Sequence, residues 1–326
     1  MKTSQSEPFS LEDANASEDS PGVEADQSRS AVSDNPDAVS QEVKPPSLGY
    51  LLLEGRALGE LLTTYAVMPA LKRGPRGDGH PVLVLPGFLA TDLSTRPLRS
   101  FLEDAGYAPH AWKLGRNYGP RNGLEERLMD RLLELRERYQ RPVSLIGWSL
   151  GGIYARLLAN RSPEDVRCVI TLGTPFNAHT KANRSWKLFE WMSGRRIDDI
   201  DPLTFSQVRD TPPVPTTSVY SLTDGIVAWR SSLDQDGPRV ENIQVPGSHI
   251  GLGANPLALH VILDRLAQPE GEWRRFERSG WKKLFYPNPK DAAGATEPSS
   301  NGHGASDVTE FVGSDLALDG AQPSEA

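Results

Sequence analysis

The chain has 326 residues, which is enough for one large α/β domain or two small ones. Its hydrophobic content of 37% is low for a globular protein, and its formal net charge at pH 7 is −8. No window of about 20 residues is both apolar and unbroken, so we expect no transmembrane helix. The first ten residues lack the apolar core of a secretory signal, and the single cysteine, Cys168, excludes an internal disulfide. These features favour a cytoplasmic protein.

The two ends of the sequence differ from its middle. Residues 1–47 and 287–326 are rich in small, polar and acidic residues and contain few large apolar ones, so we expect two disordered acidic tails. Residues 1–50 hold 10 acidic and 3 basic residues, and residues 287–326 hold 7 acidic and 1 basic. The middle then has 31 basic and 26 acidic residues, so the domain predicted at 48–286 is basic.

Helical and strand patterns alternate between the tails. Apolar residues at i, i+4 spacing predict helices, and short continuous apolar runs predict strands. Such an alternation indicates an α/β fold, a mostly parallel sheet with helices on both faces and ligands at the carboxyl ends of the strands. In chain order we predict a helix at 50–71, a strand at 81–85, a helix at 95–105, a strand at 110–112, a helix at 123–139, a strand and helix within 142–156, strands at 166–172, 217–221 and 243–245, and a helix at 255–267.

One motif indicates chemistry more strongly than any other. An apolar run leads into Gly147-Trp148-Ser149-Leu150-Gly151, which has the G-x-S-x-G pattern, and a helix-like segment follows. A sharp turn from strand to helix lifts the serine hydroxyl above the sheet and points the amide end of the helix at the reaction centre. Side chains at positions 147 or 151 would clash with the turn or with the neighbouring strand. We therefore predict that Ser149 is a nucleophile.

A serine hydroxyl needs a base within hydrogen-bond reach to react at neutral pH. In enzymes with this turn, an acid and then a histidine follow the serine along the chain. His249 lies in a short, glycine-flanked loop after the last weak strand, and we predict that it is the base. The other histidines after the serine fit less well, because His260 lies in a predicted helix, His303 in a tail, and His179 ahead of any suitable acid.

The base needs a carboxylate that orients it, and Asp224 is the candidate. It directly follows the strand predicted at 217–221, where a carboxylate would reach the imidazole Nδ1. An ordinary Asp-Gly turn is the alternative for this position. The competing aspartates within 198–201 fall in a charged segment that is more typical of a solvated face.

The tetrahedral intermediate of acyl transfer needs two amide donors aimed at its oxygen, each worth about 3 kcal/mol. One is expected to be the amide of Leu150, directly after the nucleophile. The other is expected in the loop 85–89 after the first core strand, where Gly87 permits close approach and Phe88 is the predicted donor. A plain strand-ending turn is the alternative for this loop.

The ordered motifs together resemble a known family. They are Pro86-Gly87-Phe88, the glycine-rich serine motif 147–152, Leu172-Gly173-Thr174-Pro175, Asp224-Gly225-Ile226-Val227 and Ser248-His249-Ile250-Gly251. The sequence resembles the bacterial lipase branch of the α/β-hydrolase superfamily and is similar to lipase-like deacylases that act on lipid anchors. This resemblance covers about residues 80–267. It implies an α/β-hydrolase fold, carboxylester hydrolysis through an acyl-enzyme, and a helical cap inserted after the strand that ends near Leu172.

The sequence also departs from that family's pattern. Pro86-Gly87 stands where many members have His-Gly, and the residues after His249, 250–253, supply no calcium-binding aspartate. We therefore expect no calcium, no other metal and no cofactor.

Two aromatic segments bear on the substrate and on partners. Within the predicted cap, at about 176–214, Trp186, Phe189 and Trp191 favour a hydrophobic acyl ester as substrate, although rings packed inside the cap are the alternative. Aromatic and basic residues alternate at 273–285, as is typical of peripheral contact with an anionic inner membrane surface. A final helix docked on the core also fits that stretch. We expect no nucleic-acid partner, because no such motif accompanies the positive charge.

These features predict a serine ester hydrolase that acts on a lipid or another small hydrophobic ester. An acyltransferase would use the same three side chains and differs only in whether an alcohol or water accepts the acyl group. A non-catalytic binding module with the same fold is the third reading, but it has no need of a complete Ser149, Asp224 and His249 set. Acyl length and oligomeric state stay open at this point.

Overall fold

The computed structural model describes three ranges of the chain, all within one compact unit, Glu42–Ala326. The two expected tails and most of the predicted cap lie outside the described residues, so these three assignments stay predictions. In the part of the chain that is described, no helix combines the length and the apolar character needed to cross a bilayer. The described ranges are 46–177, 207–235 and 237–288.

Six strands of the described ranges form a single parallel sheet in the order β2-β1-β3-β4-β5-β6. Every neighbouring pair is parallel, which confirms the fold class predicted from the alternating pattern. Parallel neighbours bring the carboxyl ends of all six strands to one edge of the sheet. The strands are β1 (Pro81–Leu85), β2 (Ala108–Ala111), β3 (Val143–Trp148), β4 (Val166–Leu172), β5 (Thr216–Tyr220) and β6 (Val240–Gln244).

Local sequence explains where several helices lie. The helix α6 begins after Asn255, whose side chain accepts hydrogen bonds from the amides of Leu257 and Ala258 at 2.9 and 3.2 Å, and Pro256 occupies its first position. The helices of the described ranges are α1 (Leu48–Leu53), α2 (Ala57–Leu71), α3 (Arg96–Asp104), α4 (Leu124–Tyr139), α5 (Leu150–Arg161), α6 (Pro256–Leu266) and α7 (Lys282–Phe285).

The core lies on both faces of the sheet, and β1 divides it. Val82 and Val84 pack with α3 and α6, whereas Leu83 and Leu85 pack with α4 and α5. Alternate residues of a strand point to opposite faces, so this short apolar run contributes to two separate clusters. The side chains of its last four residues, 82–85, are fully buried, as expected for an interior parallel strand.

Two strands differ in extent from the sequence prediction. The strand predicted at 110–112 is β2, which ends at Ala111 because the next amide, that of Trp112, donates to Asp92 Oδ1 at 3.1 Å instead of to the sheet. The weak strand predicted at 243–245 is β6, which starts three residues earlier than predicted and ends at Gln244. Its early residues Glu241 and Asn242 interrupt the apolar pattern, yet both are buried.

The helix predicted at 50–71 is divided into α1 and α2 by a single 3₁₀ turn at Glu54–Arg56. Its three charged residues, Glu54, Arg56 and Glu60, are buried or half-buried, whereas large apolar side chains, such as Leu52 at 84% exposure, face outward. This orientation is the reverse of an ordinary surface helix. The charged groups therefore need partners inside the protein.

A buried ion pair joins α5 to the chain after β5. Arg156 Nη1 lies 2.5 Å from Asp234 Oδ2, and neither side chain is more than 2% exposed. The same guanidinium stacks over the Phe176 ring at 3.8 Å and donates to the backbone carbonyls of 208–210. Three separate segments thus depend on one side chain.

Replacing Arg156 with methionine is expected to lower the free energy of unfolding by about 3–5 kcal/mol, because Asp234 would stay buried without its counter-charge. Urea denaturation followed by circular dichroism measures this loss. Arg127→Met, at an exposed position of α4, is the matched control and should change stability by less than about 0.5 kcal/mol. Equal stability of the two variants would contradict the interpretation.

Candidate active site

The predicted nucleophile lies at the sharp turn between β3 and α5. Ser149 has φ 52° and ψ −122°, a positive-φ conformation that is strained for a residue other than glycine. Its amide donates to the Leu172 carbonyl at the end of β4, at 2.8 Å, and Thr174 Oγ1 donates to its carbonyl at 3.0 Å. The serine is half-buried, so its hydroxyl is held at the carboxyl edge of the sheet and is accessible.

The glycines around the serine have the steric role that the sequence predicted. A Cβ at position 147 would overlap the backbone of Gly151 and Gly152, which is the turn itself. A Cβ at position 151 would overlap the Leu85 carbonyl at the end of β1, the neighbouring strand. The turn therefore tolerates no side chain at either position, and the predicted clashes are confirmed.

The predicted base and acid form a buried pair. His249 Nδ1 lies 2.7 Å from Asp224 Oδ2, and both residues are about 4% exposed. The other carboxylate oxygen, Asp224 Oδ1, accepts hydrogen bonds from the amides of Ile226 and Val227 at 2.9 and 2.7 Å. A carboxylate only accepts, so Nδ1 carries the proton and the lone pair is on Nε2. This tautomer is the one that a general base needs.

The environment of His249 changes its basicity. Burial alone lowers the pKa of the imidazole, but the charge and hydrogen bond of Asp224, together with the charge of Glu54, outweigh burial and raise it. The net pKa therefore lies above the ordinary imidazole value of about 6.5. Two carboxylates thus favour proton uptake by this ring.

We expect the acid limb of kcat/KM for ester hydrolysis to lie above about pH 6.5. Only neutral His249 can accept a proton, so activity is lost as the pH falls through the pKa, and a raised pKa moves that loss to higher pH. Initial rates with a p-nitrophenyl ester between about pH 5 and pH 9 measure the limb. An acid limb clearly below the ordinary imidazole value would contradict this prediction.

Ser149 and the His–Asp pair meet around the end of β4. Gly173 follows the strand with φ 55°, and a Cβ there would lie 3.0 Å from His249 Nδ1 and 3.1 Å from Asp224 Oδ2. Among the described contacts there is no hydrogen bond between the Ser149 hydroxyl and His249. Such contacts are often long in free enzymes and tighten only when substrate binds. The catalytic roles of these residues stay predictions.

The loop predicted to supply an oxyanion donor lies beside the serine. A Cβ at Gly87 would be 3.3 Å from Ser149 Cβ. The buried Asn117 side chain donates to the Pro86 carbonyl at 2.9 Å and so fixes the loop. Phe88 is half-buried against the α4–α5 side of the core, and the other predicted donor, Leu150, is the first residue of α5. Both predicted donors therefore adjoin the serine turn.

Of the remaining candidates from the sequence, the structure describes His260, which takes no part in this arrangement. His260 lies on α6 among the rings of Phe276, Trp281 and Tyr286, and burial lowers its pKa. His179, His303 and the aspartates within 198–201 lie outside the described residues. Within the described ranges, no three His, Cys, Asp or Glu side chains are grouped to hold a metal ion.

Sequence reasoning missed several residues that contact the predicted triad. The Trp148 indole donates to the His249 carbonyl at 3.1 Å, so the residue before the nucleophile also holds the base loop. The Glu54 carboxylate binds the backbone of both the acid loop and the base loop. Its signal in the sequence was an isolated charge inside a leucine-rich run, which has no specific meaning without the fold.

This chain is similar to several known proteins. The profile of a family described as "alpha/beta hydrolase fold" matches residues 128–235. A carboxylesterase from Bacillus subtilis (strain 168) is 22% identical over 224 residues, which cover 63% of this chain and 85% of the relative. Among solved structures, lipase B from Aspergillus fumigatus is 19% identical with a TM-score of 0.44, and lipase BlEst2 from Bacillus licheniformis is 15% identical with a TM-score of 0.44.

The matched lengths differ between these proteins. The alignment covers 59% of this chain and 53% of the Aspergillus lipase, so the chain spans about half of that protein. For the Bacillus licheniformis lipase it covers 60% of this chain and 94% of the other. The matching family profile, the six-stranded parallel sheet and the glycine-bounded serine turn between β3 and α5 fit an α/β-hydrolase fold.

Proposed function

We propose that this protein is a serine carboxylester hydrolase of the lipase and esterase type. The observation that carries the proposal is the buried His249–Asp224 hydrogen bond of 2.7 Å next to the strained serine turn. A hydroxyl, an imidazole and a carboxylate in this order form a proton relay for acyl transfer. The carboxylesterase relative from Bacillus subtilis supports an ester as the bond that is cleaved.

The proposed reaction has two half-reactions. Ser149 Oγ attacks the ester carbonyl carbon while its proton passes to His249 Nε2, and the carbonyl oxygen becomes an oxyanion that the amides of Phe88 and Leu150 bind. The tetrahedral intermediate then expels the alcohol, which takes the proton from the imidazolium, and leaves an acyl-enzyme. Water repeats the sequence, releasing the carboxylic acid and restoring the serine. Asp224 keeps its charge throughout and orients the ring.

We propose a hydrophobic acyl group as the part of the substrate that the enzyme recognises. The support for this specificity is the aromatic content predicted for the cap, including Trp186, Phe189 and Trp191. A lipid ester or a small ester with an apolar acyl chain fits equally well. The bond that reacts is the same in both.

A panel of p-nitrophenyl esters with acyl chains of different lengths tests the proposed function. We expect turnover, with kcat/KM that increases with chain length over part of the panel because longer chains bury more apolar area. If the enzyme is given an added alcohol and forms the ester of that alcohol in place of the free carboxylic acid, the result would instead favour an acyltransferase. Binding of a labelled lipid without turnover of any ester would favour a non-catalytic module.

We also propose peripheral membrane contact through the segment 273–285. Trp281, Leu284 and Phe285 are 53%, 82% and 44% exposed, and basic residues alternate with them along the segment. Buried Phe276 and Tyr286 pack in the core cluster that includes α6. The segment is therefore held against the domain while its exposed side chains face outward. An apolar patch with basic neighbours suits an anionic lipid surface.

Sedimentation with vesicles tests this contact. We expect binding to phosphatidylcholine vesicles that contain phosphatidylglycerol, weaker binding to phosphatidylcholine alone, and loss of both when Trp281 and Leu284 are replaced with serine. Equal binding of the wild type and the double variant would contradict the proposal. The cytoplasmic location stays a prediction from the sequence.

A further inference from the structure

The single turn between α1 and α2 places one carboxylate against two loops of the predicted triad. Glu54 Oε1 accepts hydrogen bonds from the amides of Gly225 and His249 at 2.8 and 2.9 Å. Its other oxygen, Oε2, accepts from the amide of Ile250 at 2.9 Å. The residue is only 5% exposed, so all three bonds are shielded from water.

These three bonds join the acid and the base through their backbones. Gly225 directly follows the predicted acid Asp224, and His249 is itself the predicted base. Hydrogen bonds from amides to a buried carboxylate are charge-assisted and stronger than bonds between neutral groups. Loss of the carboxylate would leave buried amides without acceptors on both loops, which costs more than the bonds themselves contribute.

Two neighbours of Glu54 bind the same loops. Arg56 donates to Thr223 Oγ1 and to the Gly247 carbonyl, both at 2.6 Å. The carboxylate of Glu60 accepts from the Ser248 amide at 2.7 Å. The charged residues of this otherwise apolar helical segment therefore all turn inward to the acid and base loops.

The helical segment approaches these loops so closely that a side chain at Gly225 would meet its backbone and one at Gly251 would displace the Glu60 carboxylate. A Cβ at Gly225 would overlap the Tyr50 carbonyl in α1, and a Cβ at Gly251 would overlap the Glu60 carboxylate in α2. The fit leaves little room for the loops to shift relative to α1 and α2. Glu54 is thus part of a tight contact, and its position is fixed by packing as well as by hydrogen bonds.

The charge of Glu54 also acts on the proton transfer. Among the described residues it forms no ion pair, and its hydrogen-bond donors are three backbone amides. When His249 accepts the serine proton, the ring becomes positive in a buried site. The Glu54 carboxylate, which binds the amide of His249, adds to the effect of Asp224 on that positive charge. Stabilisation of a charge that develops in the transition state more than of the resting enzyme is the condition for a faster reaction.

We propose that Glu54 is a positioning residue of this active site, which holds the acid loop and the base loop together through their backbone amides. This inference rests on the proposed ester hydrolysis. It assigns a functional role to the helical segment before the first strand, which carries none of the motifs of the predicted triad.

Glu54→Gln tests the charge while it preserves the shape. We expect kcat to fall by about 100-fold with KM changed by less than about 3-fold, because the buried charge is lost and the Gln amide nitrogen cannot accept from the Ile250 amide, while the acyl site is untouched. We also expect the acid limb of kcat/KM to move to lower pH, since removal of a negative charge lowers the pKa of His249. Glu54→Asp keeps the charge and should restore the position of the limb.

Controls separate this role from a general loss of stability. Glu103→Gln, at an exposed position of α3, is the matched control and should leave kcat and the limb unchanged. Thermal unfolding of every variant shows whether it folds. If Glu54→Gln loses activity while the acid limb of its kcat/KM profile stays at the wild-type pH, Glu54 has only a structural role. That result would overturn the proposed role.

An activity-independent readout separates failure of this inference from failure of the proposed function. The pKa of His249 is measured by NMR of ¹³C-labelled histidine in the wild type and in Glu54→Gln, with His249→Gln assigning the resonance. A lower pKa in Glu54→Gln supports the inference even if no ester is hydrolysed. An active wild type together with a Glu54→Gln variant of unchanged pKa and unchanged kcat would overturn the inference and leave the proposed function intact.

Discussion

Replacing Ser149 with alanine is expected to lower kcat for ester hydrolysis by about 10⁶-fold, to the rate that substrate binding and the oxyanion donors alone provide. The strained turn should survive, because its glycines and the hydrogen bond from the residue 149 amide to Leu172 do not involve the hydroxyl. KM should therefore change little. Initial rates of p-nitrophenyl ester hydrolysis at high enzyme concentration measure the effect.

The control for this variant is Ser100→Ala, at an exposed position of α3. It should keep the wild-type rate, and both variants should unfold at the wild-type temperature. Ester hydrolysis by Ser149→Ala within about tenfold of the wild type would remove Ser149 from the mechanism, since a residue that forms the acyl-enzyme has no substitute in the chain.

Replacing Asp224 with asparagine is expected to lower kcat by about 10⁴-fold. Asp224 Oδ1 accepts two backbone amides, so the oxygen of an asparagine amide must take that place. The amide nitrogen then replaces Oδ2 and donates to His249 Nδ1. The imidazole proton is forced onto Nε2, where it faces the serine and prevents proton uptake.

The pH dependence distinguishes this tautomer effect from unfolding. The variant should keep its fold and its KM, and its residual activity should increase toward high pH, where hydroxide can replace the base. Asp130→Asn, on the exposed face of α4, is the matched control and should behave as the wild type. An Asp224→Asn enzyme with wild-type kcat would show that another group orients His249.

The sequence predicted best what depends on neighbouring residues. The apolar run 81–85 has the same bounds as β1. A strand that is buried on both faces is apolar at every position, so the ends of the apolar run mark the ends of the strand. The serine motif predicted both the turn and the reason for its glycines. Chain order then reduced four histidines to His249, and the structure brings that residue to Asp224 at 2.7 Å.

The sequence failed where a contact joins distant segments through the backbone. Glu54 lies 171 residues before Gly225 and binds its amide, a donor that every residue except proline possesses. No residue type at either end of that bond is distinctive. The outward leucines of α1 and α2 were also unexpected. The sequence pattern shows which residues share a face of the helix, but it does not show which face packs against the catalytic loops.

The central claim is that three distant side chains converge at the carboxyl edge of the sheet. A crystal structure of the enzyme inactivated by an alkyl fluorophosphonate tests this directly. We expect phosphorus bound to Ser149 Oγ, a phosphonyl oxygen within hydrogen-bond distance of the amides of Phe88 and Leu150, and His249 Nε2 within about 3 Å of Oγ. Phosphorus on another residue, or an imidazole turned away from Oγ beyond hydrogen-bond reach, would contradict the account.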